Sequence, residues 1–180
     1  MLLTKTEIKE LIKKYDEISY AEEGTELFGK VNQNIKNLGY LTKQDFLKIV
    51  RWKAVRAIRK AEANSEEVIE NITKFAFGVE NEEVKIRVLT SLNGVSVPMA
   101  SAILTVFNPD KYGVIDIRAW HSLCNLGELQ CKKDIYNFQD WILYLNTIRK
   151  LARQNNVSPR EIDMALFMYD KLNRVEKLYK

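Results

Sequence analysis

Asp116 is the residue whose type and position are best suited to chemistry. It stands directly before Ile117-Arg118-Ala119-Trp120, where aspartate is a favoured helix N-cap. A helix N-terminus keeps a carboxylate ionised, and an ionised carboxylate can stabilise positive charge that develops during a reaction. Capping and catalysis are compatible, so the sequence leaves both roles open for Asp116.

Lys53 is a second candidate because it lies at the edge of an apolar helix face. The pattern predicts one helix from Thr42 to about Lys60, in which Lys53 falls beside Phe46, Val50 and Ala57. Lys53 either extends its ammonium group to solvent or lines a cleft. In a cleft, its pKa could be depressed and the amine could act as a nucleophile.

The opposite side of the same predicted helix is basic and carries one aromatic residue. Its members are Lys48, Trp52, Arg56 and Arg59. Such a face could lie along a DNA phosphate backbone, or it could be an ordinary solvated face.

Other charged residues have less specific signals. Asp163 and Asp170 fall on a mostly apolar helix and need partners, for which Arg118 and Lys53 are the candidates. His121 is the only histidine, which argues against a multi-histidine metal site or a Ser–His–Asp triad. His121 is either a packed or surface residue or, being five residues after Asp116, part of the same pocket.

The elements that must position these residues are helices. Thr4 with Glu7 predicts a capping box that opens Lys5–Tyr15, and Ser158-Pro159-Arg160-Glu161 opens a last, buried helix from Ile162 to Leu178. Further helices are predicted at Glu22–Leu38, Ser65–Phe77 (opened by Asn64) and Asn81–Leu92. No stretch alternates convincingly, so we expect a compact all-α body of residues 1–180, with one lobe or with two lobes and a cleft.

The most informative segment is a helical hairpin at about 86–107. Asn81–Leu92 and Pro98–Phe107 are its predicted arms, and Gly94 lies in the turn between them. Pro98 suits a first helical turn, and the small residues after it allow two helices to pack closely. The backbone N–H groups of such a turn, next to a helix N-terminus, are suited to bind a DNA phosphate without reading sequence.

This hairpin resembles that of the helix-hairpin-helix DNA glycosylases, the superfamily of endonuclease III and the 8-oxoguanine glycosylases. The residues that carry the resemblance are Leu92-Asn93-Gly94-Val95-Ser96-Val97-Pro98-Met99-Ala100. Downstream, Tyr112-Gly113-Val114-Ile115-Asp116-Ile117-Arg118-Ala119-Trp120 is similar to the segment that holds the family's catalytic aspartate. The specific match covers about Val88–Leu123, a fifth of the chain.

The resemblance implies that Asp116 is the catalytic carboxylate of a base-excision glycosylase. It also implies that Gly94, Val95, Ser96 and Val97 bind a DNA phosphate, with a monovalent cation as a possible ligand of the hairpin. Three residues depart from the family pattern. Ser96 replaces a usual glycine, Arg118 stands where endonuclease III-like members often have histidine, and Pro98 occupies the position of the nucleophilic lysine of bifunctional members. A monofunctional enzyme is therefore expected.

Composition limits the remaining choices. Hydrophobic residues make up 46% and charged residues 29%, which is typical of a globular domain, and the net charge of +4 permits an anionic partner without requiring one. The two cysteines, Cys124 and Cys131, are too few for a four-cysteine iron–sulfur or zinc site. We expect a monomer without a resident metal or organic cofactor, located inside the cell (nucleoid-associated in a bacterium or archaeon), with double-stranded DNA and not a membrane as its partner.

Three functions remain open from the sequence. The first is a monofunctional glycosylase that hydrolyses the N-glycosidic bond of an altered base. The second is a non-catalytic DNA-binding module that kept the hairpin, and the third is an all-α interaction protein without a DNA role.

Overall fold

The computed structural model describes residues 3–18, 20–130 and 134–175. In this described part no β-strand is present, so the all-α prediction is confirmed. The α-helices of these residues are α1 (Lys5–Asp16), α2 (Tyr20–Glu26), α3 (Asn32–Leu38), α4 (Lys43–Ala54), α5 (Ile58–Ala61), α6 (Glu66–Gly78), α7 (Glu82–Leu89), α8 (Val97–Phe107), α9 (Ile117–Asn125), α10 (Phe138–Asn155) and α11 (Pro159–Asn173). No helix of the described residues is long and apolar enough to cross a membrane.

Capping side chains begin several of these helices. The capping boxes predicted at Thr4 and at Ser158 are both present. In each, the hydroxyl accepts a hydrogen bond from the N3 amide, and the N3 glutamate carboxylate accepts one from the amide of the N-cap residue. The prediction for α6 was wrong by one residue, since Ser65 and not Asn64 caps it. Asn64 instead binds the hairpin turn, because its side chain donates to the Asn93 carbonyl (3.0 Å) and accepts from the Asn93 amide (2.9 Å).

Helix α8 lies at the centre of the fold and contacts α3, α4, α7 and α10. Its residues from Met99 to Val106 are all buried. The side chains of Ala100, Ser101 and Ala102 have no exposed surface, and their small size lets neighbouring helices approach closely. Burial of Ile103 or Leu104 on the same helix contributes about 1.5–3 kcal/mol each.

The predicted helix from Thr42 to Lys60 is wrong in one respect, because it breaks at Ala54. Ala54 has φ −161° and ψ 88°, and a 3₁₀ turn (Val55–Ala57) separates α4 from α5. After the break the chain packs against the hairpin turn. A Cβ atom built on Gly94 would lie 3.0 Å from both the Ala57 carbonyl oxygen and the Ala61 amide nitrogen.

Smaller differences concern the ends of helices. The predicted helix Glu22–Leu38 contains a π-helical turn (Leu27–Val31) between α2 and α3, and it ends as expected at Gly39, which has a positive φ of 81°. Helix α7 ends at Leu89 and not at the predicted Leu92, and α8 begins at Val97, one residue before the predicted Pro98. Helix α11 is buried on most sides up to Asp170 and ends at Asn173, and the predicted end at Leu178 lies outside the described residues.

Candidate functional site: a charged cleft with aromatic walls

A cleft of about 360 Å³ opens between α1, α4, α11 and the segment that leads into α9. Its volume falls in the range of small-molecule sites. It is lined by the two residues that the sequence marks as candidates for chemistry, Asp116 and Lys53. The full lining is Tyr15, Trp52, Lys53, Val114, Asp116, Ile117, Arg118, Arg160, Asp163, Phe167 and Lys171.

The Asp116 carboxylate both caps α9 and faces this cleft. Its Oδ1 accepts a hydrogen bond of 2.8 Å from the Ala119 amide, and its Oδ2 lies 3.8 Å from Lys53 Nζ. The side chain is 25% exposed, so solvent and a ligand can reach it. The expected position at a helix N-terminus is confirmed, and the cap fixes the orientation of the carboxylate.

Lys53 points into the cleft, and its side chain is only 14% exposed. Its Nζ donates to the Ile115 carbonyl oxygen at 3.3 Å. Burial lowers the pKa of Lys53, and the nearby carboxylates of Asp116 and Asp163 oppose that shift. The lysine is therefore held beside a carboxylate, and burial makes loss of its proton easier than in water.

The floor of the cleft is a buried ion pair on α11. Arg160 Nη1 donates to Asp163 Oδ1, and Arg160 Nη2 donates to the Tyr15 hydroxyl at 2.9 Å. The Arg160 guanidinium also lies over three aromatic rings, those of Phe28 (4.7 Å), Tyr15 (5.2 Å) and Trp52 (5.5 Å). Sequence reasoning missed this role of Arg160, although its spacing of three residues from Asp163 on one helix is a visible signal.

Asp163 is buried, and its other oxygen holds the segment that precedes Asp116. The Val114 amide donates to Asp163 Oδ2 at 2.8 Å. Burial raises the pKa of Asp163 to about 6, even though Arg160 and the Val114 amide favour its ionised form. Gly113 permits this close approach, because a Cβ atom there would meet Ile148 Cδ1 at 2.5 Å and the Pro159 carbonyl oxygen at 2.9 Å.

Arg118 and His121 occupy different surroundings. Arg118 lines the cleft and lies over the Phe167 ring at 5.5 Å. It pairs with Asp170 at 3.0 Å, so Arg118 is the correct one of the two predicted partners for Asp170. His121 is absent from the lining of the cleft, and its Nδ1 lies 2.7 Å from Arg174 Nη2. The structure therefore brings Arg118 but not His121 to the site.

The basic face predicted on one long helix does not exist as a single face. Lys48 pairs with Glu26 (3.0 Å) and Asp45 (3.2 Å), and Trp52 turns into the cleft, because α4 packs its side chains against α2 and α11. The break at Ala54 places Arg56 and Arg59 on a separate, exposed segment. The residues of that segment that pack against Gly94 are Ala57, Lys60 and Ala61.

The hairpin turn itself is tight and partly exposed. Gly94 has φ 81°, and the Val95 amide donates to the Leu92 carbonyl oxygen at 3.1 Å. Val95 is buried, whereas Ser96 is exposed and precedes α8 without making a side-chain capping bond. The turn thus exposes the Ser96 side chain to solvent and buries that of Val95.

Comparisons with protein-family models, curated proteins and solved structures find no match. Within the described ranges, no group of three or more His, Cys, Asp or Glu residues is placed to hold a metal ion. The interpretation of the cleft therefore depends on its own geometry and on the resemblance of its sequence segments.

Proposed function

We propose that this protein removes an altered base from double-stranded DNA by hydrolysing the N-glycosidic bond. The observation that carries the proposal is the placement of Asp116, an oriented and solvent-accessible carboxylate on the wall of a base-sized cleft. The resemblance of the segments around Gly94 and Asp116 to those of the helix-hairpin-helix glycosylases supports the same reaction.

The walls of the cleft suit an extruded base. A glycosidic bond inside a duplex is inaccessible, so the nucleotide must leave the stack before the bond is cleaved. Trp52 and Phe167 line the cleft and are only partly buried, and aromatic rings offer a stacking surface to any base. Their apolar faces would offset part of the cost of unstacking.

The carboxylate of Asp116 supplies the electrostatic part of the reaction. Loss of the base develops positive charge at C1′ of the deoxyribose, which an adjacent carboxylate stabilises while it orients the attacking water. Because Oδ1 is bound to the Ala119 amide, the group needs little reorganisation as that charge develops.

The DNA backbone would be held outside the cleft by the turn from Gly94 to Val97 and by Arg56 and Arg59. The contacts of the turn would be to phosphates, which position DNA without reading sequence. Pro98 has no amine, so the first step of the reaction at this site uses water.

A release assay on a panel of duplexes with altered bases tests the function. We expect wild-type protein to leave an abasic site on at least one duplex, and Asp116→Asn to lower the rate at least about a hundredfold, as loss of a transition-state contact does. Asparagine is an equally good N-cap, so the variant should keep its unfolding free energy within about 0.5 kcal/mol.

Asp110→Asn is the matched control, because Asp110 is exposed near the same segment. It should release the base at the wild-type rate. DNA binding without release from any duplex would leave the protein as a non-catalytic DNA-binding module and overturn the enzymatic proposal.

A further inference from the structure

The polar groups of the cleft that a ligand can still use are mostly hydrogen-bond donors. Lys53 and Arg118 both line the cleft with partly exposed side chains. An ammonium group has three N–H donors and a guanidinium group has five. Lys53 Nζ donates to the Ile115 carbonyl oxygen and Arg118 Nη1 to Asp170, so each cation keeps N–H groups that no described residue accepts.

A further donor lies at the floor of the cleft. Arg160 is buried, and its Nε–H has no hydrogen-bond partner among the residues that the structure describes. Its two terminal nitrogens are already bound to Asp163 and to the Tyr15 hydroxyl. Because buried donors are rarely left unpaired in folded proteins, this one favours an acceptor that comes from outside the chain.

The carboxylates that line the cleft have little capacity left to accept hydrogen bonds. Both oxygens of Asp163 are bound, one by Arg160 and the other by the Val114 amide. Asp116 Oδ1 is held by the Ala119 amide, and the proposed reaction needs Oδ2 beside the sugar. A carbonyl oxygen of a bound base would therefore find several donors, whereas an amino group would find few acceptors.

The charges that line the cleft add a second restriction. The described cations outnumber the carboxylates: they are Lys53, Arg118, Arg160 and Lys171, against Asp116 and Asp163. An excess of positive charge repels a base that is itself cationic, such as a purine alkylated on a ring nitrogen. The cleft is therefore suited to a neutral base.

We propose that the altered base is a product of hydrolytic deamination, uracil or hypoxanthine; this inference rests on the proposed function. Deamination replaces the amino group of cytosine or adenine, which is a donor, with a carbonyl oxygen, which is an acceptor. The product is neutral and planar, so it presents carbonyl oxygens to Lys53 and Arg118 and flat faces to Trp52 and Phe167. The parent base would instead turn N–H groups toward the same cations.

Other bases fit this arrangement less well. 8-Oxoguanine keeps an exocyclic amino group and gains an N–H at N7, so it brings more donors than the cleft can accept. Thymine has no amino group, but a thymine paired with adenine stays in the stack. Uracil opposite guanine and hypoxanthine opposite thymine are mispaired, so they leave the stack at lower cost.

A release assay on matched duplexes tests the assignment of the base. The full chain is given four duplexes that differ only in the central pair: uracil·guanine, hypoxanthine·thymine, 8-oxoguanine·cytosine and 7-methylguanine·cytosine. We expect kcat/KM for uracil or hypoxanthine to exceed that for the other two bases at least about a hundredfold, since a mismatch of buried donors is strongly rejected. Faster release of 8-oxoguanine or 7-methylguanine overturns this inference and leaves the glycosylase proposal standing.

Lys53→Met tests the donor itself, with hypoxanthine compared against purine, the base that lacks the 6-oxygen. The ratio of their kcat/KM values should fall about tenfold in Lys53→Met, because the hydrogen bond to that oxygen is lost. A purely structural role of Lys53 would lower both rates equally, and an unchanged ratio would contradict recognition by Lys53. Lys74→Met, the same substitution at an exposed lysine on α6, should keep the wild-type ratio.

The substrate panel decides the inference even if Lys53→Met does not fold, because it uses wild-type protein. If no duplex loses a base, the proposed hydrolysis fails, and binding then decides this inference separately. Tighter binding to the hypoxanthine·thymine duplex than to a purine·thymine duplex would retain recognition of the carbonyl oxygen. Equal affinity for the two duplexes would overturn it.

Discussion

At the scale of single residues, Asp163 combines a buried carboxylate with an arginine partner and still resists ionisation. Removal of the carboxyl group from water raises its pKa to about 6, and the attraction of Arg160 does not fully reverse that effect. Lys53, Asp116 and the Val114 amide are the other groups that act on it. Ionisation of Asp163 is therefore less favourable in the folded chain than in the unfolded chain, so it lowers the free energy of unfolding.

The pH dependence of stability follows from the direction of this shift. Since the pKa of Asp163 is higher in the folded chain than its ordinary value of 3.8, the contribution is fully present below about pH 4 and is lost as the pH rises through about 6. Asp163→Asn is neutral at every pH and lacks this change. Urea unfolding should show wild type losing on the order of 2–3 kcal/mol more than the variant between pH 4 and pH 7.

Parallel pH profiles for the two proteins would contradict this account of Asp163. All other ionisable groups are common to both proteins, so the difference between wild type and variant isolates Asp163 and the groups coupled to it.

At the scale of secondary-structure elements, the contact between the hairpin turn and α5 depends on Gly94. The glycine has φ 81°, and backbone atoms of Ala57 and Ala61 occupy the space that a side chain would need. Gly94→Ala should lower the free energy of unfolding by roughly 1–3 kcal/mol from the backbone conformation alone, with an added cost from the two contacts. Thermal or urea unfolding measures the loss.

Gly39 provides a matched control for that substitution. It has the same φ of 81°, but nothing lies within 4 Å of an added Cβ atom. Gly39→Ala should therefore cost less than Gly94→Ala and leave DNA affinity unchanged. Equal costs at the two sites would show that the contact with α5 does not contribute.

Local signals in the sequence predicted the helices well, but they did not predict which parts of the chain pack against one another. The caps at Thr4 and Ser158 act within three residues, so the sequence contains everything that decides them. The break at Ala54 has no glycine or proline to mark it, and the segment after it packs against Gly94, which is distant in the sequence.

The candidate site divides in the same way. Asp116 and Lys53 could be selected one at a time, by residue type and by helix face. Their 3.8 Å separation could not be predicted, because it depends on how α4 and α9 are placed by the rest of the fold. The sequence does not single out Arg160 as the partner of Asp163, because Arg160 also belongs to the capping motif Ser158–Glu161 and cations distant in the sequence fit an ion pair equally well.

At the scale of the whole molecule, a net charge of +4 is too small to attract DNA strongly without local concentration of cations. Arg56 and Arg59 are exposed on the segment whose Ala57 and Ala61 pack against Gly94, and we expect each to contact one phosphate. The double variant Arg56→Ala/Arg59→Ala should reduce the slope of log affinity against log salt concentration by about two. Fluorescence anisotropy with a labelled duplex over a range of KCl concentrations measures the slope.

Arg153→Ala removes an exposed charge from α10, which does not line the cleft, and should leave that slope unchanged. A similar loss of slope per arginine in the double variant and in Arg153→Ala would indicate a general charge effect and contradict a localised DNA surface.

The segment that leads into Asp116 has a property that extends beyond the cleft. Its peptide groups are bound by side chains from four different helices: Val114 by Asp163 (2.8 Å) and Tyr144 (3.0 Å), and Ile115 by Ser101 (3.1 Å) and Lys53 (3.3 Å). Although it has no regular secondary structure, this segment cannot open by itself, because a local opening would break bonds to α4, α8, α10 and α11 together. It therefore belongs to the most cooperative unit of the fold, and its amides should exchange with solvent only when the core unfolds.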